Sequence, residues 1–377
     1  MLTPKLFFTS KTCQVIFPLP NLAVMQPLKL HDYTIFIGDL GQPLRSLASE
    51  GKYTKIAVLA DENSRRHCLP LLAQNADFEF DVIEIPAGEM HKNLDICRLV
   101  WQEMMRLYLD RHSLMINLGG GVVGDLGGFC AATYFRGMDF VQVPTTLLAQ
   151  ADASIGGKLG IDFNLVKNSI GVFQNPKAVL VEPAFLKTLP ERELRSGFAE
   201  IIKHALIADA ALWQDLQSLT DLRQVNWESC LTTSLQVKQS IVETDPLEKG
   251  IRKALNFGHT VGHAVESFSL QSEQPLTHGE AVALGMICES WLSHRQAGLP
   301  EAELEKIVAF LRHFFSPYLL KTNDLPQLLN LMKMDKKNIG GRVNFTLLPA
   351  IGEAQIDQFC EEKLVRECLE FYISTTR

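Results

Sequence analysis

Between about residue 50 and residue 185, short apolar runs alternate with stretches whose apolar residues recur every three or four positions. The runs KIAVLAD (55–61), FDVIEIP (80–86), SLMINLGGG (113–121), DFVQVPTT (139–146) and AVLVEP (178–183) each have an apolar body and close on Gly, Pro, Thr or an acid. Unbroken apolarity, rather than alternation, predicts strands covered on both faces, as in a parallel sheet. NLDICRLVWQEMMRLYLD (93–110) carries the helical period instead. The rhythm predicts a doubly wound, Rossmann-like α/β domain whose ligands sit at the carboxyl ends of its strands. An earlier segment, CQVIFPLPNL to YTIFIGD, is expected to add edge strands.

After residue 185 the strand signal fades. ERELRSGFAEIIKHALIADAALWQDLQ, ESCLTTSLQVKQSIVETD, KALNFGHTVGHAVESF, GEAVALGMICESWLSHRQAG and EAELEKIVAFLRHFF all read as helices. GRVNFTLLPAIGEAQI is expected to form a small hairpin or a sheet extension. The chain therefore divides into a doubly wound α/β domain (1–184) and a mainly helical domain (185–377), with a cleft expected between them. No internal repeat, low-complexity segment or long linker interrupts this pattern.

Composition narrows the function classes. A chain of 377 residues, 46% hydrophobic and 21% charged, has the size for about two well-packed domains. A formal charge of −7 without a long basic run argues against nucleic acid or acidic membranes as partners. Any anion must be held by a local cluster. The eight scattered cysteines form no C-x-x-C pair and read as free thiols of a reducing compartment. The N-terminus lacks a signal-peptide pattern, and no window approaches the roughly 20 apolar residues of a membrane helix, so a cytoplasmic location is expected.

LMINLGGGVVGDLGGF places a strand, three glycines and a helix start in succession, and Gly119, Gly121 and Gly124 match G-x-G-x-x-G. Such glycines let backbone N–H groups approach a pyrophosphate at a helix N-terminus. A tight turn would use the same residues. Other strand ends tip the balance: Asp61 closes KIAVLAD, Glu89 and Lys92 follow the next run, and Thr145 and Thr146 follow the fourth. Polar groups recurring along one edge point to a nucleotide crevice.

NFGHTVGHAVES (256–267) sets His259 and His263 one helical turn apart, without the adjacent glutamate of a zinc-protease H-E-x-x-H. A catalytic divalent ion needs about three protein ligands. Glu200 and His204 lie four apart in SGFAEIIKHALI, and His278 opens a further helix in LTHGEAVALG. A glutamate with two histidines suits a borderline ion, and spacing leaves open which two of His204, His259, His263 and His278 join Glu200. His31, His67, His112, His294 and His313 read as packed or capping residues. Arg136, Lys158, Lys167 with Asn168, Lys203, Lys238, Arg252 and Lys336 with Lys337 are usually solvated types; here several share segments with the glycine loops and metal candidates. Converged, they would hold a dianionic or trianionic substrate.

The ordered motifs GGGVVGDLGGFCAATYFRG, VQVPTTLLAQADASIGGKLGID, KNSIGVFQNP, LKTLPERELRSGFAEIIKHALI, NFGHTVGHAVE, LTHGEAVALGM and MDKKNIGG resemble the 3-dehydroquinate synthase family over most of residues 85–345. The resemblance implies that NAD is bound by Asp61, by Gly88, Glu89 and Lys92, by Gly120, Gly121, Val122, Val123, Gly124 and Asp125, and by Thr145, Thr146, Lys158, Lys167, Phe185, Leu186, Lys187 and Thr188. It implies Glu200, His259 and His278 as ligands of Zn2+ or Co2+, with His263 as a proton-handling neighbour. By the same transfer Arg136, Asp152, Lys158, Asn168, Lys203, Lys238, Arg252, Asn256 and Lys336 line the substrate pocket, and His204 receives no role.

The implied reaction converts a seven-carbon sugar-acid phosphate, 3-deoxy-D-arabino-heptulosonate 7-phosphate, to 3-dehydroquinate. NAD takes a hydride from the C5 alcohol, phosphate leaves by β-elimination, the hydride returns, and ring opening and aldol closure follow. The resemblance also implies a homodimer. Two neighbouring activities share much of the pattern: a cyclase making valiolone or deoxy-inosose from a substrate without the carboxylate, and an NAD- and metal-dependent polyol dehydrogenase. Arg252 with Asn256, and His263, favour the acid substrate. GGGVVGD followed by IGGK and KN is less like the dehydrogenases. A non-enzymatic binding protein would more naturally show gaps among these residues.

Overall fold

The structure, a computed structural model, describes residues 27–376 apart from 31, 165, 335–337 and 339. Lys336, Cys13, His31 and the expected edge strand at 13–22 lie outside the described residues.

A seven-stranded sheet forms the first half, in the order β1-β2-β9-β6-β5-β3-β4. Its strands are β1 (Leu28–Leu30), β2 (Tyr33–Ile37), β3 (Ile56–Asp61), β4 (Asp81–Ile85), β5 (Leu114–Gly119), β6 (Asp139–Pro144) and β9 (Ala178–Val181). Every pairing is parallel except β1 with β2 at the edge. Both faces are covered: Ala57, Leu59 and Met115 pack into one layer, and Ile56, Val58, Leu114 and Ile116 into the other. This two-sided burial explains the unbroken apolar runs. Each fully buried aliphatic side chain contributes about 1.5–3 kcal/mol relative to exposure.

The helices of this half are α1 (Gly41–Gly51), α2 (Glu62–His67), α3 (Leu69–Asn75), α4 (Leu94–Arg106) and α5 (Gly121–Thr133). An antiparallel hairpin of β7 (Lys158–Phe163) and β8 (Val166–Phe173) covers α5. Sequence pattern gave no sign of it, because most of β8 faces solvent and lacks an apolar run.

The second half contains α6 (Glu191–Ala208), α7 (Ala210–Leu216), α8 (Trp227–Thr244), α9 (His259–Ser269), α10 (His278–Leu292), α11 (Glu301–Phe314), α12 (Leu325–Lys333) and α13 (Glu362–Ser374). The expected late hairpin is β10 (Asn344–Ala350) with β11 (Glu353–Phe359). Helices α6 and α10 are buried over most of their lengths, so their apolar residues run right around the axis. Glycines allow α9 and α10 to touch: a Cβ built on Gly285 would lie 1.9 Å from the Gly258 carbonyl oxygen. That contact brings the histidines of the two helices to one place.

Candidate active site

Parallel register fixes one polar edge. Gly119 pairs with Pro144, and Asp61 with Ile85, so the turns after β3, β4, β5 and β6 open on the same side of the sheet. Gly119 is forced by crowding, since a Cβ there would stand 2.5 Å from Val123. Gly120 takes the cap position of α5, and Thr145 donates its backbone N–H to the Gly119 carbonyl at 3.0 Å. The first turn of α5 therefore presents backbone N–H groups at the strand edge, as a pyrophosphate requires. Val123 and Gly124 are buried beneath this turn, while Gly121, Val122 and Asp125 are partly exposed.

Lys92 is buried beside it, donating to Asp125 and to Asn168 at 2.6 Å each. Burial opposes its charge, but Asp125 and Glu89 outweigh that and raise its pKa. Gly88 adopts a positive φ of 109° before the short turn Glu89–His91. Lys167 lies 4.0 Å from Glu89. Asp61 caps α2, accepting from the Ser64 N–H at 2.7 Å. Phe185, Leu186, Lys187 and Thr188 form a 3-10 turn just after β9, with the first two buried. Asn168, expected in the substrate pocket, is anchored on the Lys92 side of the crevice.

The metal candidates converge. Nε2 of His278 and Nε2 of His259 lie 3.5 and 3.7 Å from Oε1 of Glu200. That oxygen is buried and has no hydrogen-bond donor, an arrangement costly unless a cation meets it. The rings are aimed from behind: His259 Nδ1 lies 3.1 Å from the Phe257 carbonyl, and His278 Nδ1 lies 3.3 Å from Glu266. Such outer partners orient imidazole ligands. One carboxylate and two imidazoles fit a divalent ion of the zinc type. Asp152, Glu200 and His204 also approach one another, as do His263, Glu266 and His278. In the former set Asp152 is already paired with Lys238, and in the latter Glu266 is already paired with Lys167.

Electrostatics couple Glu200, His259 and His278, and a metal ion would have to displace the proton that His278 holds. Burial alone would lower the His278 pKa, but Glu200 and Glu266 raise it to about 10. Burial and then Lys203 push His259 well down. For Glu200, burial acts upward, yet Lys203, His278 and His259 bring it below the usual carboxylate range.

Around this cluster stand the cations. Lys203 pairs with Glu200, both fully buried. Lys238 donates to Asp152 at 2.6 Å, and Asp152 lies 3.8 Å from His204 Nε2. Desolvation, with Arg252 and Lys203 nearby, lowers Lys238 to about 8 despite Asp152. Arg252 is buried, donating to the carbonyls of Gly156 and Pro246. The His263 ring lies 5.2 Å from that of His259 and 6.0 Å from that of His278.

Arg136 departs from expectation. It sits exposed on the turn after α5, with φ of 67°, and pairs with no acid among the described residues. The glycine turn opens α5 and Arg136 follows its other end, so the 13-residue helix, about 20 Å long, separates them. One chain thus does not bring Arg136 to the site.

Glu248 was missed. Its carboxylate joins Lys158 to Asn256, the latter at 3.1 Å, in the loop just before Arg252. An acid four residues before a pocket arginine was the available signal; its φ of 58° was not readable from sequence. Glu266 lay within the histidine segment, three residues after His263, and was also passed over.

Comparisons with known proteins match this geometry. Residues 82–196 match the family described as 3-dehydroquinate synthase N-terminal, and residues 197–338 that described as 3-dehydroquinate synthase C-terminal. The chain is 40% identical over 338 residues to a 3-dehydroquinate synthase of Parabacteroides distasonis, covering 89% of this chain and 96% of that one. It is 42% identical over 351 residues to one of Geobacillus thermodenitrificans, covering 90% and 95%. Among solved structures it resembles 2-epi-5-epi-valiolone synthase of Streptomyces hygroscopicus with NAD+ and Zn2+ bound. There the TM-score is 0.82 and the identity 29%, over 92% of this chain and 98% of that one.

Proposed function

The chain belongs to the 3-dehydroquinate synthase family, and on that premise we propose how its residues divide the work. It converts 3-deoxy-D-arabino-heptulosonate 7-phosphate to 3-dehydroquinate and phosphate, the reaction of a carbon–oxygen lyase, with NAD and a divalent metal as cofactors. When bound, NAD accepts and returns a hydride while the ion supplies Lewis acidity at the substrate hydroxyl.

Glu200, His259 and His278 hold the ion. The observation that carries this reading is the donor-free Glu200 oxygen facing two aimed imidazoles. Lys158, Lys238, Arg252 and Asn256 bind the phosphate and carboxylate, and Glu248 keeps Lys158 and Asn256 in place before substrate arrives. Lys203 offsets the developing negative charge next to Glu200. His263, one turn from His259, handles the proton of the elimination. The strand-edge groups from Asp61 to Thr188 bind NAD, and residues 1–184 and 185–377 form the two domains either side of the cleft.

We further propose a homodimer and a cytoplasmic location. Phe163, Val166 and Phe173, large and exposed on the β7–β8 hairpin, support the first, which sedimentation at varied concentration tests. Among the described residues, no helix is long and apolar enough to cross a membrane. The deciding assay is phosphate release from the heptulosonate phosphate, with and without NAD and a chelator. Equal turnover of an analogue lacking the carboxylate would favour another sugar-phosphate cyclase, and steady NADH accumulation a dehydrogenase.

A further inference from the structure

Helix α9 begins without a cap of its own. The residue before His259 is Gly258, with φ of 79° and no side chain to receive the first N–H groups of the helix. Helices normally satisfy these groups with Ser, Thr, Asp or Asn at that position. Here the acceptor comes from another helix. Glu289, fully buried on α10, takes the Gly258 N–H at 2.7 Å on one oxygen, and those of Thr260 and Val261 at 3.0 and 3.1 Å on the other. A carboxylate at a helix N-terminus is favoured by the helix dipole as well as by the hydrogen bonds.

The three clamped N–H groups surround the peptide that carries His259. The same turn contains the Phe257 carbonyl lying 3.1 Å from His259 Nδ1, while the other ring nitrogen faces Glu200. Thr260 is tied in addition through its hydroxyl to the Asn344 carbonyl at 2.8 Å. Because Glu289 and His278 share α10, this contact also fixes the spacing between the helices that present the two histidines.

We propose that Glu289 is a positioning residue for the metal site, acting through the first turn of α9 to hold the His259 imidazole in its ligating orientation before the ion arrives. This rests on the assignment of His259 as a ligand. Glu289 is fully buried with its carboxylate turned to backbone N–H groups, so its effect is read as metal affinity rather than as a direct loss of chemistry. Replacing it by Gln keeps the shape but turns an NH2 group toward backbone N–H donors, and leaves one oxygen for three of them.

Zn2+ affinity is measured by competition with a chromogenic chelator for the full chain and for Glu289→Gln, Glu289→Asp, His259→Ala and Leu72→Ala. The last is a core variant remote from the site. Outer-shell losses typically weaken metal binding 10- to 100-fold, so Glu289→Gln is expected to raise the Zn2+ Kd by about tenfold or more. Leu72→Ala, though it lowers Tm, should stay within about twofold of the parent. A Glu289→Gln Kd within that margin overturns the proposal. If that variant does not fold, Glu289→Asp serves with the same criterion. Hydrogen exchange on the parent chain gives a second reading: the Gly258, Thr260 and Val261 amides should be protected with Zn2+ removed, and free exchange there with the rest of α9 protected contradicts the clamp. Undiminished Zn2+ binding by His259→Ala would instead overturn the ligand assignment, a separate result.

Discussion

The carboxylate of Glu266 lies 3.3 Å from Nδ1 of His278, on the side of the ring turned away from Glu200. Its other oxygen accepts from Lys167 at 2.7 Å. One side chain thus links the hairpin on the nucleotide side to the metal cluster. Changing Glu266 to Gln weakens the orientation of His278 and the hold on Lys167 together. The expected result is Zn2+ affinity lower by about 10- to 100-fold, with a parallel rise in the NAD dissociation constant. Chelator competition and NAD titration measure the two separately, and a change in neither would show that the link carries no function.

Much of this was readable from the sequence, for a physical reason that also marks its limit. Strands β3, β5, β6 and β9 are buried on both faces, so their apolar runs stand out; Glu200 with His204, His259, His263 and His278 stood out by residue type, and the resemblance rather than spacing chose His259 and His278 among them. Strand β8 escaped notice because its residues, Lys167 and Asn168 among them, face solvent or the crevice and carry no core pattern. Glu248 and Glu289 escaped because an acid becomes informative only when the fold shows what it faces. Resemblance placed Arg136 at the site, yet within one chain its position after α5 keeps it away.

The histidine four residues after His259 should behave differently from the ligands. Glu200→Gln or His259→Ala removes a donor from a three-residue set, so both lose metal and phosphate release together. His263→Ala leaves that set intact; it should retain metal while turnover falls about 10²- to 10⁴-fold, as for loss of a general acid–base group. Metal analysis beside a phosphate assay separates the cases. Equal metal content in all three variants would contradict the division of roles.

Lys238 gives a pH dependence of two signs. Its pKa in the folded chain is about 8, against 10.5 for an ordinary lysine. As pH rises above about 8 the ammonium is lost, so the substrate anion binds less well and kcat/KM falls. Stability moves the other way: between about pH 8 and the unfolded value the unfolded chain holds a proton that the folded chain has released, so this group adds stability as pH rises. Lys238→Arg, charged throughout, should shift the basic limb of the kcat/KM profile upward. An identical limb in the variant would assign it to another group.

Helices α9 and α10 touch where Gly285 meets Gly258. A Cβ on residue 285 would lie 1.9 Å from the Gly258 carbonyl oxygen and 2.8 Å from the Gly262 nitrogen, all backbone atoms. Flexible side chains can give way to a new methyl group, but here the obstructing chain is fixed: Gly258 is held by Glu289 and Gly262 donates back to Gly258 at 3.0 Å. The helices must therefore separate, and overpacking typically costs about 1–3 kcal/mol, with backbone-on-backbone overlap at the upper end of that range. Gly285→Ala should unfold at a temperature several degrees lower, by about 2–4 °C per kcal/mol if the helical half responds as a domain of 150–250 residues. Separation also pulls His259 from His278, so the variant should bind Zn2+ more weakly even well below its Tm. Thermal unfolding with and without Zn2+ tests both, because a lost ligand geometry removes the stabilisation that saturating metal confers. A Gly285→Ala protein with parental Tm and parental Zn2+ stabilisation would mean that the two helices tolerate a wider spacing than their close backbone contact implies.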